Sequence, residues 1–309
     1  MNKTKSIWVT GSSGMVGQAL KRSILSSGSY KILESKRDDL DQTNQNETLK
    51  WLKENKPDII IITSALVGGI QVNAKYPLDF LYQNSMIALN VINGAKEINC
   101  EKLIFLGASC MYPRDTKQPF KETSILEGKI ENTNEGYGLA KILGTKLIEF
   151  INTQHNKKYI SIIPAASYGP YDCYDEKTNH VIPALIQKFH NAKINNYSSV
   201  EVWGTGEAKR EFLHVDDMAS GIIFLMENYQ NNEPVNLGTG EEVSIRELAY
   251  LISKVVNFNG DIIFDTSKPD GIPRKILDSS KIINLGWRPS INLIDGLKRT
   301  YNIYLSNLK

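Results

Sequence analysis

Gly11, Gly14 and Gly17 follow directly on the apolar run 6–10, and no other feature limits this chain's possible folds as tightly. A strand that turns at Gly-x-x-Gly-x-x-Gly and opens a helix is a dinucleotide-binding turn. One glycine makes the turn, one lets the backbone approach a pyrophosphate, and one lets the helix pack on the strand. The helix N-terminus then offers free N–H groups and a positive dipole end to phosphates. Ser13, Met15 and Val16 fill the loop between the glycines and join them as candidate cofactor-binding residues.

The pattern around this turn repeats. Strands are predicted at 7–10, 31–34, 59–63, 103–107 and 159–164, and helices at 16–26, 46–54, 77–96 and 137–153. Alternation of this kind implies an α/β fold, a Rossmann-type doubly wound parallel sheet with helices on both faces. Ligands in such sheets bind beyond the carboxyl ends of the strands. The second half is richer in Pro, Gly, Tyr and Asn, with short elements predicted at 181–191, 200–203, 215–227, 245–257 and 262–264. The expected division is a dinucleotide-binding domain over 1–165, to which a segment of about 210–240 returns, and a smaller C-terminal substrate-binding lobe over 166–309.

The 36 basic and 34 acidic residues nearly cancel, which argues against a nucleic-acid or polyanion partner. Three cysteines, Cys100, Cys110 and Cys173, do not make a disulfide framework. With no signal-like N-terminus they suggest a reducing, cytoplasmic setting. The apolar run 59–70 is broken by Thr63, Ser64 and Gly68-Gly69 and is too short to span a bilayer, so no membrane partner is expected. No metal site is expected either.

Tyr137 and Lys141 stand four residues apart within a predicted helix, on one face. An ammonium beside a phenol favours the phenolate, and such a tyrosine can exchange a proton with a carbonyl oxygen while hydride moves. An ordinary amphipathic helix carries the same pair. The glycine turn and the small-residue strand end Gly107-Ala108-Ser109 favour the catalytic reading.

Further segments extend the pattern along nearly the whole chain. They include Val67-Gly68-Gly69-Ile70, Ser109-Cys110-Met111-Tyr112-Pro113, Thr133-Asn134-Glu135, Tyr168-Gly169-Pro170 and His180-Val181-Ile182-Pro183. Val202-Trp203-Gly204-Thr205-Gly206, the run from Arg210 to Asp217 and the run from Ser267 to Lys275 continue it. With these motifs the chain resembles the extended short-chain dehydrogenases/reductases that act on nucleotide sugars. More narrowly it is similar to the GDP-L-fucose synthase family, the GDP-4-keto-6-deoxymannose 3,5-epimerase/4-reductases.

The resemblance implies that Tyr137 protonates the C4 oxygen, that Lys141 holds the nicotinamide ribose, and that Cys110 and His180 are the acid/base pair for epimerisation. A 4-ketone acidifies the hydrogens at C3 and C5, so a thiolate can remove one and an imidazole on the other face can return one. A buried core thiol and a capping histidine are the plainer readings of those two residues. His180 also matches a cofactor-contacting position. Lys188, Trp203, Arg210 and Asp270 match positions that hold the GDP-linked substrate, and Arg210 suits a diphosphate because its guanidinium binds phosphate in pairs of hydrogen bonds. Trp203 reads equally as a base-stacking or a packing residue. At Glu34-Ser35-Lys36-Arg37 an acidic residue favours NAD and basic ones favour NADP. The residues show both, and the resemblance favours NADP, with Lys36 and Arg37 on its 2′-phosphate. It also implies a homodimer pairing the helices 77–96 and 137–153.

Four positions depart from the family: Ala108 replaces a catalytic serine, Ala166 an asparagine, Leu66 a lysine and Gly136 a proline. Ser109 is the nearest hydroxyl, yet on an extended strand it would face away from its neighbour's side, so either the backbone twists here or the oxyanion contact is lost. Glycines on both sides of Tyr137 are expected to loosen the helix start. The departures are expected to cluster at the sugar pocket. Three readings remain: a bifunctional epimerase/reductase of a hexose or heptose, a single-activity 4-reductase or 3,5-epimerase, and a non-catalytic NADP-binding protein.

Overall fold

The computed structural model describes residues 4–35, 38–175, 179–268 and 270–308. The chain runs β1 (Lys5–Thr10), α1 (Met15–Ser27), β2 (Tyr30–Leu33), α2 (Gln45–Asn55), β3 (Ile59–Ile62), α3 (Ile70–Lys75), α4 (Pro77–Glu97) and β4 (Lys102–Leu106). After a long connection come α5 (Glu135–His155), β5 (Ile160–Pro164), β6 (Ala166–Tyr168), α6 (Val181–Ile194), β7 (Ser199–Trp203), β8 (Lys209–Arg210) and β9 (Phe212–His214). It ends with α7 (Val215–Asn228), β10 (Val235–Leu237), β11 (Val243–Ser244), α8 (Ile245–Val256), β12 (Asp261–Asp265), β13 (Arg274–Lys275), α9 (Ser280–Asn284) and α10 (Leu293–Asn307).

Six parallel strands form the main sheet in the order β10-β5-β4-β3-β1-β2. Near-continuous apolar strands, such as the four isoleucines of β3, call for cover on both faces. Alternation along each strand divides the side chains between two cores. Ile7, Val9, Ile61 and Ile104 pack with Leu20 and Ile24 of α1 and Ile222 of α7. Trp8, Ile60, Ile62 and Leu103 pack with Leu52, Val91 and Ile148 from α2, α4 and α5. Each such isoleucine contributes about 1.5–3 kcal/mol on burial. A third core joins α6, α8 and α10 to β7 through Ile186, Phe189, Leu248, Ile252, Leu297 and Val202. The winding direction of the main sheet reverses between β1 and β3, and the crevice beyond the strand ends opens there.

Candidate active site

A single open cleft of about 2140 Å³ runs along the carboxyl ends of the strands. A pocket for one drug-sized ligand measures about 300–1,000 Å³, so this cleft has room for two. One wall is the glycine turn. Gly11 adopts φ +61°, and the Gly14 N–H closes the turn on the Gly11 carbonyl at 3.0 Å. A Cβ on Gly17 would come within 2.3 Å of the Gly11 oxygen and 2.7 Å of Ser12 Cα, so only glycine lets α1 begin this close to the strand. Gly14 caps α1 without a side-chain hydrogen bond, which leaves the first-turn N–H groups facing the cleft. Ser13, Met15 and Val16 line it as well. This cradle fits a pyrophosphate.

On the expected adenosine side, Ser35 lines the cleft and accepts a hydrogen bond from Trp8 Nε1 at 3.1 Å. Glu34, the acidic residue that would favour NAD, is instead paired with Lys21 at 2.9 Å. Lys36 and Arg37 lie outside the described residues.

The opposite wall is built from the end of β4 and the start of α5. After Gly107 the backbone is extended at Ala108 and then turns through a single 3-10 turn, Ser109–Met111. Strand alternation therefore ends at Ala108, and Ser109 and Cys110 both line the cleft. Of the two alternatives for Ser109, this turn is the backbone twist. Cys110 is buried, and burial pushes its thiol upward against the opposing charges of Lys275 and then Lys141.

Tyr137 and Lys141 come off the first turns of α5 into the same cleft. The Lys141 ammonium donates to the Leu106 carbonyl at 2.8 Å and sits 5.4 Å from the centre of the Tyr137 ring. Burial lowers its pKa to about 8. Burial also pushes the Tyr137 phenol well above its ordinary value, with the Cys110 charge adding to the effect. The direction is opposite to the lowering expected from Lys141, because desolvation by burial dominates.

Gly136 and Gly138 are close-approach positions and do not loosen the helix. A Cβ on Gly136 would stand 2.2 Å from the Pro77 carbonyl oxygen, and one on Gly138 would stand 2.9 Å from the Cys110 carbonyl oxygen. The backbone on either side of Tyr137 is clamped between α4 and the Cys110 turn. Of the four departing positions, Leu66, Ala108 and Ala166 line the cleft, whereas Gly136 serves helix packing and stands outside it. Both backbone groups of Leu66 are held by the Asn84 side chain, at 2.8 and 3.1 Å.

The third wall comes from α6 and the small strands. His180 is the N-cap residue of α6 and opens to the cleft, where desolvation lowers its pKa. Lys188, two turns on, shares that face. Its ammonium donates to the Glu201 carbonyl at 3.1 Å and lies 5.3 Å from the Trp203 ring, with Lys268 at 5.7 Å. Trp203 is 50% exposed, so it offers a face to the cleft. Arg210 on β8 lines the cleft, while Asp270 uses both carboxylate oxygens on Thr205, at 2.7 Å to its N–H and 2.8 Å to its hydroxyl. Asp270 is therefore a latch that ties its loop to the turn after β7.

Two cleft residues escaped the sequence reading. Lys275 on β13 lies beside Arg210 on the neighbouring strand. It ends the Ser267-to-Lys275 motif, in which the sequence draws attention to Asp270, Gly271 and Arg274. Asp172 has one buried carboxylate oxygen without a partner among the described residues, and burial raises its pKa to about 7.

The sequence matches the NAD dependent epimerase/dehydratase family over residues 7–238. It is 45% identical to a GDP-L-fucose synthase from Sinorhizobium fredii, across 98% of this chain and 96% of that protein. The structure superposes with a TM-score of 0.90 on a GDP-mannoheptose C4 reductase from Campylobacter jejuni with NADP bound, 36% identical over 99% of both chains. A GDP-6-OMe-4-keto-L-xylo-heptose reductase from the same organism gives a TM-score of 0.92 at 33% identity, again over 99% of both chains.

Proposed function

Because the chain belongs to the NAD dependent epimerase/dehydratase family, and within it to the GDP-L-fucose synthase group, we propose that it epimerises and then reduces a GDP-linked 4-keto-6-deoxy sugar with NADPH. The observation that carries this reading is the convergence of Tyr137, Lys141, Cys110 and His180 on one cleft whose far wall is the glycine cradle. NADPH supplies the hydride that reaches C4 when it is bound. The cofactor would be held by Gly11, Ser13, Gly14, Met15, Val16 and Gly17 at its phosphates and by Lys141 and His180 near its nicotinamide end, with Lys36 and Arg37 assigned to the 2′-phosphate.

The raised Tyr137 phenol suits the reduction step. Reduction leaves negative charge on the C4 oxygen, and a phenol that stays protonated is the donor this step needs. Lys141, fixed by the Leu106 carbonyl, holds its charge beside that phenol. For epimerisation, Cys110 in its thiolate form takes the proton from the carbon beside the ketone, and the electron pair moves onto the carbonyl oxygen as an enolate. His180 in its protonated form returns a proton on the opposite face, so this step starts from the thiolate–imidazolium form of the pair. Ser109 supplies the hydroxyl that Ala108 cannot. Lys188, Trp203 and Arg210 grip the GDP end, and Asp270 ties its own loop to the turn after β7.

The exposed Leu78, Tyr82 and Leu89 of α4 and Leu139 and Phe150 of α5 support pairing of these helices across a homodimer. Among the described residues no helix is long and apolar enough to cross a membrane, and the cytoplasm is the proposed location. The test is NADPH oxidation with GDP-4-keto-6-deoxymannose and with its heptose counterpart. Turnover of either, abolished by Tyr137→Phe, supports the reading, and oxidation of neither would overturn it.

A further inference from the structure

Tyr112, Asn236 and Glu211 are buried, at 3%, 0% and 2% exposure, and none of the three lines the cleft. No step described for the cleft uses them, yet two of them adjoin it along the chain. Tyr112 directly follows the Ser109–Met111 turn, and Glu211 directly follows Arg210. Asn236 stands between them on β10, an edge strand of the main sheet.

The segment 276–278, next after Lys275 of β13, joins the three. The Tyr112 hydroxyl donates to Asn236 Oδ1 at 2.5 Å. Asn236 Nδ2 donates to the Phe120 carbonyl at 2.8 Å and to the Asp278 carbonyl at 3.1 Å. Two carbonyl acceptors fix which end of the amide is nitrogen, so the phenol is the donor at the other end. The Phe120 backbone holds the same segment, donating to the Ile276 carbonyl and accepting from the Asp278 N–H, each at 2.9 Å. The Phe120 ring stacks on Tyr112 with centroids 4.9 Å apart. Next along the segment, the Leu277 N–H donates to Glu211 Oε2 at 2.8 Å, and Glu211 Oε1 accepts from the Gly240 N–H at 2.8 Å. β8 is the middle strand of its sheet, between β11 and β13. One buried carboxylate thus ties the Arg210 strand to the chain just before β11 and just after β13. Water does not compete for these bonds, so each holds its partner firmly.

We propose that Asn236 and Glu211 are positioning residues. The buried brace from Tyr112 to Glu211 fixes the separation between the Ser109–Cys110 turn, where the sugar reacts, and the Arg210 strand, where the diphosphate is held. A GDP-sugar must span that separation, because its reacting carbons and its diphosphate belong to one molecule. The brace therefore sets the register of the reacting carbons against Ser109 and Cys110. The inference rests on the reading of the cleft as a GDP-sugar site.

The test is a double-mutant cycle on Tyr112→Phe and Glu211→Gln, with NADPH oxidation and GDP binding measured for each protein. Tyr112→Phe leaves Asn236 Oδ1 without its donor, and Glu211→Gln sets an amide NH2 against a backbone N–H. Each should lower kcat/KM for the GDP-keto sugar by about tenfold. The Tyr112→Phe loss should fall on kcat, with the dissociation constant of GDP alone unchanged, because GDP meets only the Arg210 end of the brace. A general folding defect would weaken GDP as well. The double variant should lose about tenfold and not a hundredfold, because the first substitution has already broken the brace. Glu211→Asp replaces Glu211→Gln in the cycle if that variant does not fold. Losses that multiply, or Tyr112→Phe with kcat within twofold of wild type, overturn the proposal while the reading of the cleft stands. A wild type that reduces no GDP-keto sugar overturns that reading, and the brace proposal with it.

Discussion

Replacing Gly136 by alanine adds one carbon where the structure has no space for it. The new Cβ would meet the Pro77 carbonyl oxygen at 2.2 Å, the Pro77 carbon at 3.1 Å and the Leu81 nitrogen at 3.4 Å. Ordinary contact needs about 3.5 Å, so α4 and α5 must separate by about 1 Å. The opposing atoms are backbone and cannot rotate away, which puts the cost near the upper end of about 1–3 kcal/mol for overpacking. Alanine recovers roughly 1 kcal/mol of helix propensity. The net loss is about 2 kcal/mol, and a melting temperature falls by roughly 2–4 °C per kcal/mol in a chain of this size class, giving about 4–8 °C. The activity loss is larger, because Tyr137 is the next residue and a 1 Å misplacement costs about 10²-fold. Thermal unfolding and NADPH-dependent turnover of Gly136→Ala measure both effects. A melting temperature within 1 °C of wild type together with turnover within threefold would refute the clamp.

Ser109→Ala removes the hydroxyl assigned to the C4 oxygen, and kcat should fall by roughly 10²–10³-fold with little change in melting temperature. In Cys110→Ser, deuterium exchange beside the ketone should disappear while NADPH oxidation of an already epimerised keto sugar continues, as proton spectra would show. Lys141 has a lowered pKa, so its charge is present below about pH 8 and lost as pH rises through that value. The pH profile of reduction should therefore decline near 8, with no separate limb from the Tyr137 phenol, whose pKa is raised. Asp270→Asn weakens the latch on Thr205, and KM for the GDP-sugar should rise several-fold while kcat changes little, as initial rates will show.

The parts of the fold that follow local rules were legible in the sequence. The glycine turn, the alternating strands and the Tyr137/Lys141 spacing each reflect a period or a steric demand within a few residues. The parts set by distant neighbours were not. For Ser109 a continued strand and a backbone twist stay open in the sequence, because the 3-10 turn after Ala108 leaves no periodic mark. Gly136 and Gly138 were judged by helix propensity, although backbone approach from Pro77 and Cys110 decides their role. Lys275 lies on a two-residue strand whose partner is more than sixty residues away, too short for any pattern to show. For α10 the signal was present in Leu297, Tyr301 and Tyr304, spaced three and four apart. The lowered Lys141 and raised Tyr137 pKa values depend on burial, which only the folded cleft reveals.

Running the reaction in heavy water with a GDP-4-keto-6-deoxy sugar and NADPH, and locating deuterium in the product by mass and proton spectra, tests the central claim most directly. The expected result is cofactor oxidation with deuterium at C3 and C5, the signature of Cys110 and His180 acting before Tyr137 completes reduction. Oxidation that leaves both carbons free of deuterium would contradict it and make the protein a plain C4 reductase.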